Sequence, residues 1–487
     1  MVGLNRRTLL AATAAVMAAP YSRTQAQERR AMAGDQTSAA SAKVAKFVVS
    51  FNTNDVPDAM VRRGCDVILD TIGVALAGSR EEAAHLIQGI VKTEASAPRV
   101  GLIGTSIRAS PQLAALANGV AAHAMDYDFT YMRAQSIAPV IPAILAVAEA
   151  EGSTPRQVLE AFIVGAEVAA RFVRANQDGP MFDGWHSTGM VGVMGAAAGC
   201  AKLLNTHSGG VSNTMGIAAS LASGITANFG TMTKPLHCGN AARNAVLAAY
   251  LGRDGYSSND RALDGRTGYF NTFGRGLKMN MEGFDDFGHR FDLVEGRHRF
   301  KPYPCGGLTH TAIEAGLELR NAIGSRASDI KAIHCFVTAR AAQRAGADYP
   351  RTVEAAKFSL GYLVPYAILY GPPRLAAFTE RALEDERLKN LAARLTASVD
   401  KQLGDAEDDS PARIQLTMSD GSIIERRKDF GSGSNTNPMS AQQMEDKFFD
   451  CATQVIDRER AQRISEFVKA MPQKSSFADF WPLLRTS

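Results

Sequence analysis

Two lysine motifs carry the most chemistry in this chain. One is Lys234-Pro-Leu-His237-Cys-Gly-Asn-Ala-Ala242; the other, 67 residues later, is Lys301-Pro-Tyr303-Pro-Cys305. Each lysine precedes a proline, in a stretch rich in glycine and small residues. Two ammonium groups brought into one cleft bind a dicarboxylate. They also stabilise the charge that appears when a proton leaves the carbon beside a carboxylate, because fixed cations in a water-poor site offset such charge better than bulk water does. That points to an enzyme acting on a small polyanion. His237 and Tyr303, next to the lysines, are candidate substrate ligands, and Tyr303 is also a candidate acid.

Further candidates lie upstream. His186 stands in Gly184-Trp-His186-Ser187-Thr188-Gly189, just before an Ala-rich helical pattern. A helix start presents free N–H groups and partial positive charge, and the Ser187 and Thr188 hydroxyls add donors. Together they are expected to hold a carboxylate and to keep His186 neutral, as a base or hydrogen-bond donor. Capping and packing is the structural alternative. Asp126 and Asp128, in Asp126-Tyr127-Asp128 after a helix, are either a carboxylate pair with split proton affinities or solvated turn acids. His123, one turn earlier, is placed to orient Asp126. Arg243 is a possible carboxylate ligand or a helix-surface charge. There is no H-E-x-x-H, paired C-x-x-C, Walker loop, G-x-G-x-x-G after a strand, or nucleophile-elbow G-x-S-x-G, so metal, nucleotide and serine-hydrolase chemistry find little support.

The elements that must position these residues fall into two textures. From about 55 to 296 the pattern is helical. Pro57 follows Asn54 and Asp55 at a helix start, and apolar residues recur at helical spacing up to Gly78. Ser110-Pro111 and Thr154-Pro155 open two more helices, and 142–151 reads as a short apolar one. Segments 187–204, 210–222 and 238–251 are rich in Ala and Gly, which lets helices approach closely. The loop holding Lys234 and His237 is expected to enter its helix at about Gly239. Beyond 297, 330–338 alternates as a strand. Residues 414–418 and 423–426 flank the turn Ser419-Asp-Gly421 as a hairpin. Helices are expected at 309–323, 358–370 and 374–398. After a Gly/Ser linker at 431–435, 441–470 is helical again and is expected to pack back on the first domain. The expected organisation is a helical domain at 43–296, an α+β domain at 297–430 and C-terminal helices at 436–487.

Composition agrees with a globular enzyme: 46% hydrophobic, 21% charged, and a net charge of +4 over 487 residues. No basic stripe with interleaved aromatics suggests nucleic acid, and no apolar run is long enough to span a membrane. The six scattered cysteines read as buried thiols rather than a disulfide framework. At the N-terminus, Arg6-Arg7 precedes a short Ala-rich apolar segment and a small-residue site at Thr24-Gln-Ala26. This reads as a twin-arginine signal over 1–26, with a periplasmic mature protein and no membrane contact after cleavage.

With these residues in hand, the chain resembles the MmgE/PrpD family of 2-methylcitrate dehydratases and cis-aconitate decarboxylases over about residues 43–470. The blocks that carry the likeness are His123-Ala-Met-Asp126-Tyr-Asp128, Gly184-Trp-His186-Ser-Thr-Gly189, the two lysine motifs, Ala356-Lys-Phe-Ser-Leu360 and Asn437-Pro-Met-Ser440. The resemblance implies a mainly α fold: a large all-helical domain plus a smaller α+β domain, with the C-terminus returning to the first. It also implies a homodimer without metal or organic cofactor, and an active-site Asp, His and two Lys at Asp126, His186, Lys234 and Lys301. One departure stands out. Dehydratase and decarboxylase members carry His-Pro about ten residues after the Asp; here Gln135 or Ser136 takes that place, and neither exchanges a proton near neutral pH. The family also includes an epimerase of an imino-dicarboxylate. The expected function is therefore cofactor-independent proton abstraction α to a carboxylate of a small di- or tricarboxylate. The outcome is elimination or decarboxylation by a lyase, or reprotonation by an epimerase. An exported carboxylate-binding protein is the non-enzyme rival.

Overall fold

The structure is a computed structural model, and it describes residues 40–486 apart from 133, 177–182, 278 and 405–409. The expected signal segment 1–26 and Arg133 therefore lie outside the described residues.

The helices that build the site are α1 (Ala40–Ser50), α2 (Asp58–Gly78), α3 (Glu82–Glu94), α4 (Pro111–His123), α5 (Val140–Glu151), α6 (Pro155–Ala175), α7 (Gly192–Leu203), α8 (Ser208–Leu221) and α9 (Thr233–Arg253). Local chemistry starts them where the sequence indicates. Pro111 occupies the first turn of α4. Thr154 and Gln157 form a reciprocal capping box at the start of α6, satisfying two otherwise unpaired N–H groups. The small residues set the packing distance. A Cβ at Gly119 on α4 would meet the Gly239 Cα of α9 at 2.7 Å, and one at Gly195 on α7 would meet the Gly165 carbonyl of α6 at 2.5 Å. The α4–α9 crossing brings the start of α9, with Lys234, beside the end of α4, with His123 and Asp126. Helix α9 begins at Thr233, two turns before the expected entry at Gly239. Pro235 is tolerated there because the first helical turn has no intrahelical partner for its missing N–H. Lys234 is thus a helical residue, not a loop residue.

The second core is built around a four-stranded sheet. A short antiparallel pair, β1 (Thr130–Tyr131) with β2 (His298–Arg299), precedes it. The sheet holds β3 (Ile330–Val337), β4 (Leu395–Val399), β5 (Ala412–Met418) and β6 (Ile423–Lys428) in the order β4-β3-β5-β6. Strand β3 runs parallel to β4 and antiparallel to β5, with Cys335 opposite both Ala397 and Ile414. Helices α10 (His310–Ile323) and α11 (Leu360–Tyr370) supply Ile313, Leu319, Leu363 and Ile368 to the same core as Ile333, Ile414 and Leu416. The helix expected over 374–398 is not formed. Short turns lead to a helix over Glu386–Ala392 capped by Asp385, and Leu395-Thr-Ala-Ser-Val399 becomes strand β4 by pairing with β3. Helices α12 (Ala441–Ala452) and α13 (Arg458–Lys469) return to the first core, where Phe448, Phe449, Ile464 and Val468 are buried with Ile68 and Ile72 of α2. All six cysteines are buried free thiols.

Candidate active site

The site is assembled on the turn that ends α4. Asp126 sits there in the left-handed region at φ 52°, a conformation that short polar side chains tolerate better than most. Three buried lysines from distant elements donate to carbonyls of this turn. Lys357 reaches Ala124 O at 3.1 Å, Lys447 reaches Tyr127 O at 2.8 Å, and Lys301 bonds Asp126 O. Lys447 is itself paired with Asp70 of α2 at 2.7 Å. The carbonyls that a strained turn would leave bare are therefore satisfied by cations, which fixes the direction of the Asp126 side chain.

That side chain lies between the two motif lysines. Lys234 Nζ is 2.5 Å from Asp126 Oδ1, and Lys301 Nζ is 3.1 Å from Oδ2. All three residues are buried. Burial would raise the Asp126 carboxyl, but Lys234, Lys301 and His123 outweigh it and hold the group well below the usual carboxylate range. Burial lowers the proton affinity of Lys301, and Asp126 and Asp128 offset that only in part. Gln135 completes the cluster. Its single amide nitrogen donates to Asp126 Oδ1 at 2.7 Å and to Asp128 Oδ1 at 2.8 Å. The two acids are thus buried and bridged, not solvated turn residues. His123 turns to Asp128, with Nδ1 3.0 Å from Oδ1, and not to Asp126 as its spacing suggested.

His186 precedes the short helix Ser187–Met190 and is almost fully buried. It loses proton affinity first through burial and then through His123, Lys234 and His237, and only Asp126 opposes them. The imidazole is therefore neutral at ordinary pH. Its Nδ1 lies 3.0 Å from His237 Nδ1, and the Phe229 ring packs edge-on against it at 4.8 Å.

These groups face a cavity of about 1500 Å³, whose wall includes Asp126, Gln135, His186, Ser187, Lys234 and Lys301. The same wall carries Thr130, Arg297, Arg299, Arg340 and Arg344. Three expected ligands are elsewhere. His237 stands behind His186, Thr188 is fully buried outside the wall, and Tyr303 is packed in the second core with its ring 5.3 Å from His310. Proline on both sides of Tyr303 aims its side chain away while Lys301, two residues earlier, reaches the turn. Arg243 bonds Asn240 Oδ1 at 2.6 Å and is not on the wall. The arginines are the residues that motif reading missed. Arg297, Arg299 and Lys301 alternate along the chain into and beyond β2, a period-two spacing of cations that marks one face of an extended segment. Among the described residues no cluster of three or more His, Cys, Asp or Glu is arranged to hold a metal ion, and no helix is long and apolar enough to cross a membrane.

A buried anion flanked by two cations, a neutral histidine and an arginine-rich wall form a site for a small polyanion. Comparison with known proteins gives the same direction. Cis-aconitate decarboxylase of Homo sapiens is 28% identical over 430 residues, covering 85% of this chain and 87% of that protein. Cis-aconitate decarboxylase of Aspergillus terreus is 27% identical over 478 residues, covering 92% and 95%. Both of these relatives are lyases by name. The MmgE/PrpD N-terminal domain matches residues 42–282 and the MmgE/PrpD C-terminal domain matches 303–473. Matches on that scale settle the family: this chain is an enzyme of the MmgE/PrpD family, of the lyase class.

Proposed function

We propose that the chain is a cofactor-independent lyase of a small tricarboxylate or dicarboxylate, acting on the carbon α to a carboxylate. The observation that carries this is the Lys234–Asp126–Lys301 cluster at the wall of an arginine-lined cavity. Substrate carboxylates bind the wall arginines and the lysines. His186, neutral and with Nδ1 engaged by His237, offers Nε2 to take the α-proton. The charge left on the substrate is stabilised by Lys234 and Lys301, already oriented by Asp126. Asp126 is a poor base while two cations hold it, so its part is to fix the lysines. For elimination, the C–O bond breaks and the departing hydroxide takes a proton from Lys301, whose proton affinity burial has lowered. For decarboxylation, the C–C bond breaks, carbon dioxide leaves and a proton is returned to carbon.

Gln135 favours the first outcome. Its Nε2 is committed to two carboxylates, so the amide is oriented and Oε1 accepts from no partner among the described residues. An acceptor at that place on the wall suits a substrate with a hydroxyl donor. Decarboxylation of an unsaturated tricarboxylate is the second reading, favoured by the names of the relatives. The test is incubation with hydroxylated and unsaturated di- and tricarboxylates in deuterated water, followed by proton NMR. Alkene formation from a hydroxy acid supports the first reading, and loss of carbon dioxide the second. Deuterium incorporation with inversion, and neither a C–O nor a C–C bond broken, would replace both with an epimerase. Export through Arg6-Arg7 to the periplasm and assembly as a homodimer belong to the same proposal. A single-subunit mass by light scattering would remove the second of these.

A further inference from the structure

His237 is the motif histidine that the cavity does not use, and it has a specific neighbour. Its Nδ1 is 3.0 Å from His186 Nδ1. Two imidazoles joined in this way share one proton, because one Nδ1 must donate and the other accept. The arrangement is enforced from both sides. His186 N donates to Gly224 O at 3.0 Å, and a Cβ at Gly224 would meet the His237 ring at 3.0 Å, so only a glycine with φ 115° lets that ring close on the segment. His237 projects from α9 one turn after its start at Thr233, close behind Lys234. It is half-buried and forms no part of the cavity wall, whereas His186 is on the wall.

We propose that His237 is a proton-relay partner of His186, which switches that residue between proton acceptor and proton donor and passes its proton to solvent outside the substrate cavity. The inference rests on His186 being the group that meets the substrate. In the accepting state His186 carries its proton on Nδ1, Nε2 is bare, and His237 is protonated on Nε2. When Nε2 of His186 takes a proton from the substrate, the Nδ1 proton crosses to His237 Nδ1, and His237 gives its Nε2 proton to water. One proton enters and one leaves. His186 is now protonated on Nε2 alone and can return that proton to a substrate, with the sequence running backwards. Neither ring has to remain an imidazolium. This matters because burial, His123 and Lys234 all disfavour a second proton on His186, and burial, His123 and Lys234 do the same at His237. A lone histidine here would be a poor proton carrier, whereas a coupled neutral pair is not.

Two readings on the full chain test the relay. The first needs no substrate. In spectra of 15N-histidine-labelled protein, His186 should be neutral with one ring nitrogen hydrogen-bonded to a second imidazole, a signature lost in His237→Gln. A native His186 without an imidazole partner overturns the proposal. The second uses whichever polycarboxylate is turned over. His237→Gln keeps a hydrogen-bonding group for Nδ1 but cannot pass a proton, so kcat should fall about 10²-fold, the usual contribution of a proton-transfer group, with KM within about 2-fold. In His237→Ala, added imidazole should restore part of kcat. Native kcat in His237→Gln overturns the relay, as does a folded His237→Ala that imidazole does not rescue. If His237→Ala does not fold, His237→Gln and the spectra decide. Failure of the native protein to turn over any polycarboxylate would count against the proposed function, while the spectra would still decide the pair.

Discussion

Asp126→Asn isolates the electrostatics of the site, because asparagine is nearly isosteric and tolerates the same left-handed backbone. The native carboxylate faces ammonium groups at 2.5 and 3.1 Å. At an effective dielectric constant of about 20, these contacts are worth roughly 5–7 kcal/mol of attraction each before desolvation is counted. Removing the anion takes the ion-pair partner from two buried cations and leaves Lys301 only the weaker pull of Asp128, and breaking a buried pair in this way costs about 3–5 kcal/mol. At roughly 2 °C per kcal/mol for a large unit, Tm should fall by about 6–10 °C near pH 6. The deficit should then shrink toward pH 9. A buried lysine whose folded proton affinity is lowered penalises the fold while it stays protonated. That penalty is relieved as pH rises from the folded value toward the ordinary one near ~10.4. The native protein should also gain stability with rising pH at the acid end. Asp126 has a depressed folded pKa, so its stabilisation is present above about 3.9 and is lost as pH falls through the folded value. The assay is thermal unfolding of both proteins from pH 3 to pH 9. A variant within about 2 °C of native at pH 6, with no narrowing at pH 9, would refute the counter-ion role of Asp126.

Three other outcomes are expected. Gln135→Leu also loses the bridge to Asp126 and Asp128, so it should weaken both substrates, but it should raise KM about 10-fold more for a hydroxylated one than for an unsaturated tricarboxylate, the value of one hydrogen bond; equal effects on both would remove Gln135 as a reader of hydroxyl groups. Because the folded His186 pKa is held well below 6.5, its contribution to stability is present above 6.5 and lost as pH falls below it. The acid limb of kcat should accordingly lie well under pH 6, and a limb centred at about 6.5 would show an ordinary, solvated histidine. Changing Arg6 and Arg7 both to Lys should keep the protein in the cytoplasm, and undiminished export would show that another route is used.

Much of this site was legible because its chemistry is held in short motifs. Asp126, His186, Lys234 and Lys301 lie up to 175 residues apart in sequence and meet in space. Three things were not legible. Motif proximity does not tell which way a side chain points, so Tyr303 and His237 were grouped with the lysines although one enters the second core and the other backs His186. Burial cannot be read from charge: the counter-ion that keeps both lysines buried lies more than 100 residues upstream. Helix and strand also compete in 374–398, where no local signal separates the two; pairing with β3 decides for strand at Leu395–Val399. The helical domain was easier, since Ser110-Pro111 and Thr154-Pro155 are local signals that need no tertiary contact to act.

The role proposed for Lys234 and Lys301 is to stabilise charge on a polycarboxylate as it reacts. It is tested most directly by kcat/KM of native, Lys234→Met and Lys301→Met proteins on the substrate that the carboxylate panel identifies. Each variant retains one ion pair with Asp126, so each should fold. Each should lose about 10²-fold or more in kcat/KM, mostly in kcat, as the loss of a charge-stabilising donor typically causes. Near-native turnover by both folded variants would contradict the account.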